Sequence, residues 1–338
     1  MAAKSVNPYS SCYQMLFISA QMLRESVSMS AAVDAVRRAF SKVSAGQIEQ
    51  PTRLVMEGGT ALAMLARDRE SGSTALKAVT IRPQNRAAGR PAVQALVILF
   101  DGASGTPEAV IDGTSLTALR TGAASGVATD LLSPTNARVM AMIGAGGQSA
   151  DQIRAVCSVR PIVEVRITSL STTSARRLAE RLGPELPHVR FLPVSSNREA
   201  VSEADVICTA TASTGPLFEA SDLRPMVHVN AVGAYTPAMC ELPAELLRDA
   251  RVVAIDEMEA AMAEAGDLLQ AMSRGYLEVE RLIELGTLLA SPPPAAGGWT
   301  VFKSVGIAAQ DLEVAELAVR EVRKSGHAAD DSFEIGQS

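Results

Sequence analysis

The chain has 338 residues, enough for two or three domains and for a core that needs neither a disulfide framework nor a structural metal. Apolar residues make up 47% and charged residues 20%, which excludes a disordered chain. The formal net charge of −6 offers no broad basic field for nucleic acid or an anionic membrane, and no apolar run is long enough to span a bilayer.

In chain order, the first twenty or so residues read as polar and irregular, a mobile terminus or an edge element. The apolar patch at 15–23 lacks the layout of a secretion signal. Residues 28–46 predict a helix, with Val33, Val36, Phe40 and Val43 at helical spacing, Ser28 or Ser30 as cap and Gly46 as stop. Residues 74–81 and 94–100 predict strands, 101–106 a hairpin turn, 107–112 the returning strand and 115–132 an alanine-rich helix. From residue 138 short apolar strands (138–143, 163–168, 204–209, 227–232, 251–255) alternate with helical stretches (148–158, 172–182, 257–264). That pattern predicts a parallel sheet covered on both faces. A loop at 291–298, an amphipathic helix at 310–323 and a frayed end complete the chain. One domain boundary is expected near 132–136. The second is expected near 301–306, where the chain returns to the first domain.

Four scattered cysteines (Cys12, Cys157, Cys208, Cys240) form no CxxC and suit reduced thiols in a cytoplasm. Three histidines (His188, His228, His327) are too few for a histidine-rich metal centre, so no metal is expected. His228 reads as structural, and Cys208 and Cys240, with no adjacent base, as inert.

The strongest local signal is the apolar strand at 138–143 running into Gly144-x-Gly146-x-x-Ser149 and then a helix. Gly144 permits the tight turn and Gly146 lets backbone approach a pyrophosphate. Ser149 is small enough for close helix–strand packing, and the helix N-terminus offers N–H groups to phosphates. The reading is dinucleotide binding, against a turn that is only a turn. The next strand ends at Thr168-Ser169-Leu170-Ser171, without the acid that usually holds the ribose of NAD. Those hydroxyls, with Arg176 or Arg177 nearby, lean the expectation toward NADP, with NAD possible.

Arg53, Lys77 and Arg120 stand in apolar or small-residue settings. A buried cation needs a partner, and a substrate carboxylate can be one. The other reading is a surface or structurally paired cation, which context alone favours for Arg53 and leaves even for Lys77 and Arg120.

Taken together, these segments resemble the ornithine cyclodeaminase/mu-crystallin family. The matching stretches begin at Leu76-Lys77-Ala-Val79, Asp112-Gly113 and Leu119-Arg120-Thr121 through Ser125, and Ile143-Gly-Ala-Gly-Gly-Gln148. They continue at 204–211, at His228-Val-Asn230-Ala-Val-Gly233-Ala234, at Glu241-Leu242, at Glu264-Ala-Gly-Asp267 and at 301–306. The resemblance covers roughly residues 53–320. It implies an α/β protein in which a Rossmann doubly wound domain (133–306) is inserted into a discontinuous α+β dimerisation and substrate domain (1–132 plus 307–338). It implies a homodimer that binds NAD or NADP. Arg53, Lys77 and Arg120 match residues that hold the substrate carboxylate. Thr121, Gly147, Gln148, Thr209, Asn230, Val232 and Ser304 match cofactor contacts, beside Gly144, Gly146, Thr168 and Ser169 from the turn.

One departure separates this chain from the cyclodeaminases of that family. They carry an aspartate two residues after the glycine of the Asn-Ala-Val-Gly motif, and here that residue is Tyr235. A phenol with pKa about 10 is no base near neutrality. The stretch 61–64 also lacks an acid the cyclodeaminases have. The expectation is therefore an NAD(P)H-dependent ketimine reductase acting on a small imine carboxylate of the pyrroline or piperideine type. Arg53 and Arg120 would clamp the carboxylate, Lys77 would assist, and Tyr235 would shape the pocket or donate to the imine nitrogen. The alternatives are an ornithine or lysine cyclodeaminase, an alanine-type dehydrogenase, and a non-catalytic NADPH-binding crystallin-like protein.

Overall fold

A computed structural model of the chain describes residues 15–294, 296–325 and 332–333. The expectations for the first fourteen residues, for Cys12 and for most of the frayed end, including His327, lie outside the described residues.

Two sheets organise the molecule. The first holds β1 (Met15–Ile18), β2 (Ile48–Glu49), β3 (Leu54–Val55), β4 (Ala61–Asp68), β5 (Thr74–Ile81), β6 (Val93–Phe100), β7 (Pro107–Asp112) and β16 (Ser332–Phe333). Its order is β16-β1-β7-β6-β5-β4-β2, with β3 also on β4. Residues 15–18, read as irregular or edge chain, are the strand β1, parallel to β7. A short helix, Ala20–Ser26, follows it. β4 also went unread, because its alanines blur the alternation that marks Leu65 as outward and Met64 and Ala66 as buried.

Two rows of side chains cross this sheet, one on each face. On the covered face Met64, Lys77, Val97, Ile111 and Ile18 lie in register, with Lys77 the one charge among them. On the other face the aligned row is Leu65, Leu76, Ile98, Val110 and Phe17, and its two ends, Leu65 and Phe17, are exposed.

The helices Met29–Ser44, Gly113–Leu132 and Ala308–Ser325 contribute to the core that backs the covered face. Ser28 caps the first of these, as expected. The helix Gly113–Leu132 leaves β7 directly, with the Asp112 carboxylate accepting from the Ser115 N–H at 2.7 Å. It is buried along most of its length. Glycine at 122 is required by close approach, since a Cβ there would collide with the Asp151 carbonyl of the helix Ser149–Val159.

The second sheet is wholly parallel. It holds β8 (Val139–Ile143), β9 (Glu164–Thr168), β10 (Arg190–Pro193), β11 (Val206–Thr209), β12 (Val227–Ala231), β13 (Val252–Ile255), β14 (Leu282–Glu284) and β15 (Trp299–Lys303). Its order is β10-β9-β8-β11-β12-β15-β13-β14. This is the doubly wound arrangement expected from the alternating pattern, with the strand order reversing between β8 and β11. Residues 301–303, read as part of the crossing back to the first sheet, belong to β15. That strand sits centrally between β12 and β13, so the chain leaves the second sheet only after Lys303. Its five residues stand between a glycine- and proline-rich loop and the 304–306 segment, so they read as part of the crossing.

Candidate active site

The glycine turn lies where the strand order reverses. Gly144 has φ +110°, and a Cβ there would sit 2.6 Å from the Ala210 carbonyl at the end of β11. Its N–H donates to the Thr168 carbonyl at 2.9 Å, so the ends of β8, β9 and β11 meet at this residue. Gly146 and Gly147 face open space, with no atom within 4 Å of a built Cβ. Among the described residues the N–H groups of Gly146, Gly147 and Gln148 find no acceptor. Gln148 then opens the helix Ser149–Val159. Unpaired donors without a Cβ barrier, at the N-terminus of an eleven-residue helix, fit the pyrophosphate of a dinucleotide. Gly122, adjoining Thr121, packs on the Asp151 carbonyl of this helix, which brings the buried Thr121 to the same end.

At the end of β9, Thr168 is buried and Ser169 half-buried. The Ser169 hydroxyl donates to the Ser171 carbonyl and accepts from the Ser171 N–H, and the Ser171 hydroxyl caps the helix Thr172–Leu182. Arg176 and Arg177 follow one turn on, and no carboxylate intervenes at 168–171.

The other matched positions lie along the carboxyl edge of the same sheet, though several side chains are already engaged. Thr209 donates to Glu241 at 2.9 Å. Asn230 is buried and spends its amide on Thr129 at 2.9 Å, Cys208 at 3.5 Å and His228 at 3.1 Å. Ser304 donates to Asp256 at 2.8 Å. Val232 is half-buried, its N–H on the Thr209 carbonyl at 3.0 Å. Glu241 also accepts from the Thr211 and Gly233 N–H groups at 2.7 and 2.8 Å, tying the ends of β11 and β12 together. Behind it Lys303 pairs with Asp267 at 2.9 Å, both fully buried, and Asp267 accepts the Glu241 N–H at 2.6 Å.

Arg53, Lys77 and Arg120 come together from three separate segments. Lys77 Nζ lies 2.7 Å from one oxygen of Asp311, and Arg120 Nε lies 3.2 Å from the other. Arg120 also donates to Gln310 at 2.7 Å. Its guanidinium packs on Gly306, whose φ of +80° and missing Cβ leave the room it occupies. Arg53 donates to the Gly306 and Val305 carbonyls at 2.5 and 3.2 Å and pairs with Glu264 at 2.9 Å. The same 304–306 segment is held from below by Asp256, which accepts from Ser304 and from the Val305 and Gly306 N–H groups at 2.7–2.8 Å. Asp256 follows β13 and Ser304 follows β15, so the cation cluster rests on the carboxyl edge of the second sheet.

The electrostatics are those of a dry site. Burial and the neighbouring Arg120 push the Lys77 ammonium down to about 7, against the pull of Asp311. Burial likewise lowers Arg53 and raises the Asp256 and Glu264 carboxyls. A small pocket of about 30 Å³ opens beside Arg53, lined by Thr52, Met64, Glu257, Glu264, Gly306 and Ile307 among others.

Four readings of the sequence meet their surroundings here. The substrate carboxylate was expected to supply the partner a buried cation needs, but Asp311, Gln310 and Glu264 already do so within the chain. The signal for Asp311 was an acid in the first turn of the last helix, on a face otherwise apolar. Tyr235 is 38% exposed on the loop after β12 and makes no hydrogen bond among the described residues. His228 is buried between Thr300 and Asn230, and burial lowers it to about 4, so it is neutral near pH 7. Burial pushes the Cys208 thiol up to about 12 and the Cys240 thiol up to about 11, which makes both poor nucleophiles. Among the described residues no cluster of ligands fits a metal ion, and no helix is long and apolar enough to cross a membrane.

Residues 14–327 match the model of the ornithine cyclodeaminase/mu-crystallin family. The chain belongs to this family. A Delta(1)-pyrroline-2-carboxylate reductase of Bacillus cereus is 34% identical over 320 residues, 92% of this chain and 98% of that one. The ketimine reductase mu-crystallin of Mus musculus is 35% identical over 300 residues, 87% of this chain and 92% of that one. Among solved structures, the Thermococcus litoralis Delta(1)-pyrroline-2-carboxylate reductase in complex with NADH and L-proline superposes with a TM-score of 0.88 at 31% identity. That match covers 95% of this chain and 100% of the other.

Proposed function

We propose that the protein reduces a small imine carboxylate, of the pyrroline- or piperideine-2-carboxylate kind, to the corresponding amino acid. The observation that carries this reading is the meeting of Arg53, Lys77 and Arg120 on the carboxyl edge of the sheet that also bears the glycine turn. Support comes from the family and from the imine reductases among its members that the chain resembles over most of its length.

The residues assigned to a nicotinamide dinucleotide are Gly144, Gly146, Gly147, Gln148, Thr168, Ser169, Thr121, Thr209, Asn230, Val232 and Ser304. Gly146, Gly147 and Gln148 give backbone donors to the pyrophosphate. Asn230 acts by fixing the strand, since its amide is spent inside the fold. The bound cofactor supplies hydride to the imine carbon. With hydroxyls and no acid at 168–171, the preference goes to NADP over NAD.

Arg53, the most open of the three cations, receives the substrate carboxylate from the pocket, and Arg120 completes a bidentate grip. Lys77, deeper and with its ammonium near 7, keeps the imine nitrogen protonated, and an iminium is electrophilic without a strong protein acid. Tyr235 lies outside the lining of the pocket beside Arg53, so its assignment to shape the cleft or donate to the imine nitrogen rests on the family motif alone. Because the site fixes the substrate's orientation, positioning accounts for most of the rate.

The substrate-binding unit comprises 1–132 and 307–338, and the dinucleotide unit 133–306. The protein works as a homodimer through the aligned apolar row from Leu65 to Phe17, a stripe that a second copy would cover. Unpaired thiols at Cys157, Cys208 and Cys240 suit the cytoplasm.

The test is oxidation of NADPH and NADH, followed by absorbance, with Δ1-pyrroline-2-carboxylate, Δ1-piperideine-2-carboxylate, and pyruvate plus methylamine. Reduction of a cyclic imine, faster with NADPH, supports the reading. Ammonia release from ornithine with NAD, and no imine reduction, overturns it in favour of a cyclodeaminase.

A further inference from the structure

One carboxylate serves both inner cations of the cluster. Asp311 gives one oxygen to Lys77 at 2.7 Å and the other to Arg120 at 3.2 Å, and the three side chains are 1%, 2% and 7% exposed. The cations come from different elements, Lys77 from β5 and Arg120 from the helix Gly113–Leu132. Nothing in the local chain fixes the distance between them. Two like charges in a dry interior repel, and each would otherwise turn toward whatever polar group it could reach. Asp311 stands in the first turn of the helix Ala308–Ser325, where the helix dipole favours a negative charge. Its neighbour Gln310 continues the chain of contacts, accepting from Arg120 at 2.7 Å and donating to Asp256 at 3.3 Å. Asp256 in turn holds the backbone of 304–306, on which Arg53 rests.

We infer that Asp311 is a positioning residue for the imine reduction, holding Lys77 and Arg120 at the spacing that a substrate carboxylate and its adjacent imine nitrogen require. This rests on the reading of the site given above. Asp311, Lys77 and Arg120 all lie behind the pocket lining, and the Arg120 guanidinium packs on Gly306, which lines it and holds Arg53, so Asp311 acts through the two cations. The charged groups facing Lys77 are Asp311, Arg120 and Arg53, and those facing Arg53 are Glu264, Arg120, Asp256 and Asp311. Of these, Asp311 is the one that pairs directly with Lys77. With it gone, Lys77 keeps burial and two arginines pressing against its charge and loses the group that favours it.

The experiment compares the wild-type enzyme with Asp311→Asn, Asp311→Glu, Lys77→Met and the Lys77→Met/Asp311→Asn double variant. KM and kcat for Δ1-pyrroline-2-carboxylate are read between about pH 6 and 9, alongside NADPH affinity by fluorescence and L-proline binding by calorimetry. Asp311→Asn is expected to raise KM ~10-fold or more, weaken L-proline to a similar degree and leave NADPH affinity within about twofold. The alkaline fall in kcat/KM moves to lower pH. In the Lys77→Met background the asparagine costs much less than it does alone, because part of its effect runs through the missing ammonium. Asp311→Glu keeps the wild-type alkaline limb with an intermediate KM. It also carries the test if Asp311→Asn does not fold, since a carboxylate moved off the 2.7 Å contact must still raise KM without touching NADPH. An unchanged KM with an unmoved alkaline limb in Asp311→Asn, or fully additive effects in the double variant, overturns the inference. If the wild-type enzyme reduces no imine, the functional reading fails, and L-proline binding by the same variants still decides the role of Asp311.

Discussion

The glycine turn and the cation cluster share one edge of the second sheet and are built in opposite ways. The turn is a single contiguous segment, 143–149, whose shape follows from missing side chains: Gly144 turns against Ala210, and Gly146 and Gly147 leave their N–H groups bare. The cluster is assembled from β5, the helix Gly113–Leu132, the 304–306 segment and the last helix, and nearly every charge in it has an internal partner. The turn is open. The cluster is closed and braced, and of its three cations Arg53 alone lines the pocket, beside its partner Glu264. A site of the first kind needs local conformation, whereas one of the second needs the whole fold.

That contrast can be pressed hardest at Arg120. Arg120→Met removes the guanidinium and strands its share of Asp311, and kcat/KM is expected to fall ~100-fold or more with NADPH affinity within about threefold. Equal losses in both measurements would mean that the two regions are not separable. The mirror experiment is Gly144→Ala. At φ +110° and 2.6 Å from the Ala210 carbonyl, the added Cβ costs about 1–3 kcal/mol of strain or displacement. NADPH affinity is expected to drop ~10-fold or more while L-proline binding, measured by calorimetry, stays near wild type.

Proton linkage separates the regions further. Lys77 carries its charge below about 7 and loses it above. As an anionic substrate is drawn by the ammonium, kcat/KM should fall as pH rises through about 7. The corresponding limb of kcat should lie at higher pH, because a bound carboxylate favours the charged lysine. NADPH affinity should cross the same range with no inflection from this group. Lys77 also links folding to pH. Between about 7 and its ordinary 10.5 the unfolded chain binds the proton better, so its contribution to stability grows as pH rises through that window. The smallest effect belongs to Tyr235→Phe. With Tyr235 38% exposed and its hydroxyl without a hydrogen bond among the described residues, turnover should change by no more than about threefold. A larger loss at unchanged KM would make the phenol a proton donor.

How much of this could be read from the residues follows the same division. Strand, turn and helix around Gly144 were legible because their causes are local: an apolar run, absent Cβ atoms and a helix start. Lys77 and Arg120 stood out as charges in apolar settings, but their partner did not, because Asp311 lies far from both along the chain and only the folded helix brings it there. β4 and β15 were missed for want of context, one diluted by alanines and the other set between a loop and the crossing back to the first sheet. The side chain of Asn230 matched a cofactor position by motif. Only its bonds to Thr129, Cys208 and His228 reveal that it braces the strand.

The burial of Lys77, Asp311 and the Arg120 guanidinium bears on how the protein responds to its ionic surroundings. Dissolved ions screen charges that water can reach, and these lie beyond that reach, while Arg53 and the pocket mouth do not. Raising the salt concentration should therefore weaken the capture of substrate from solution and leave the inner pairing intact. Tolerance of brine in such a site is decided by one arginine.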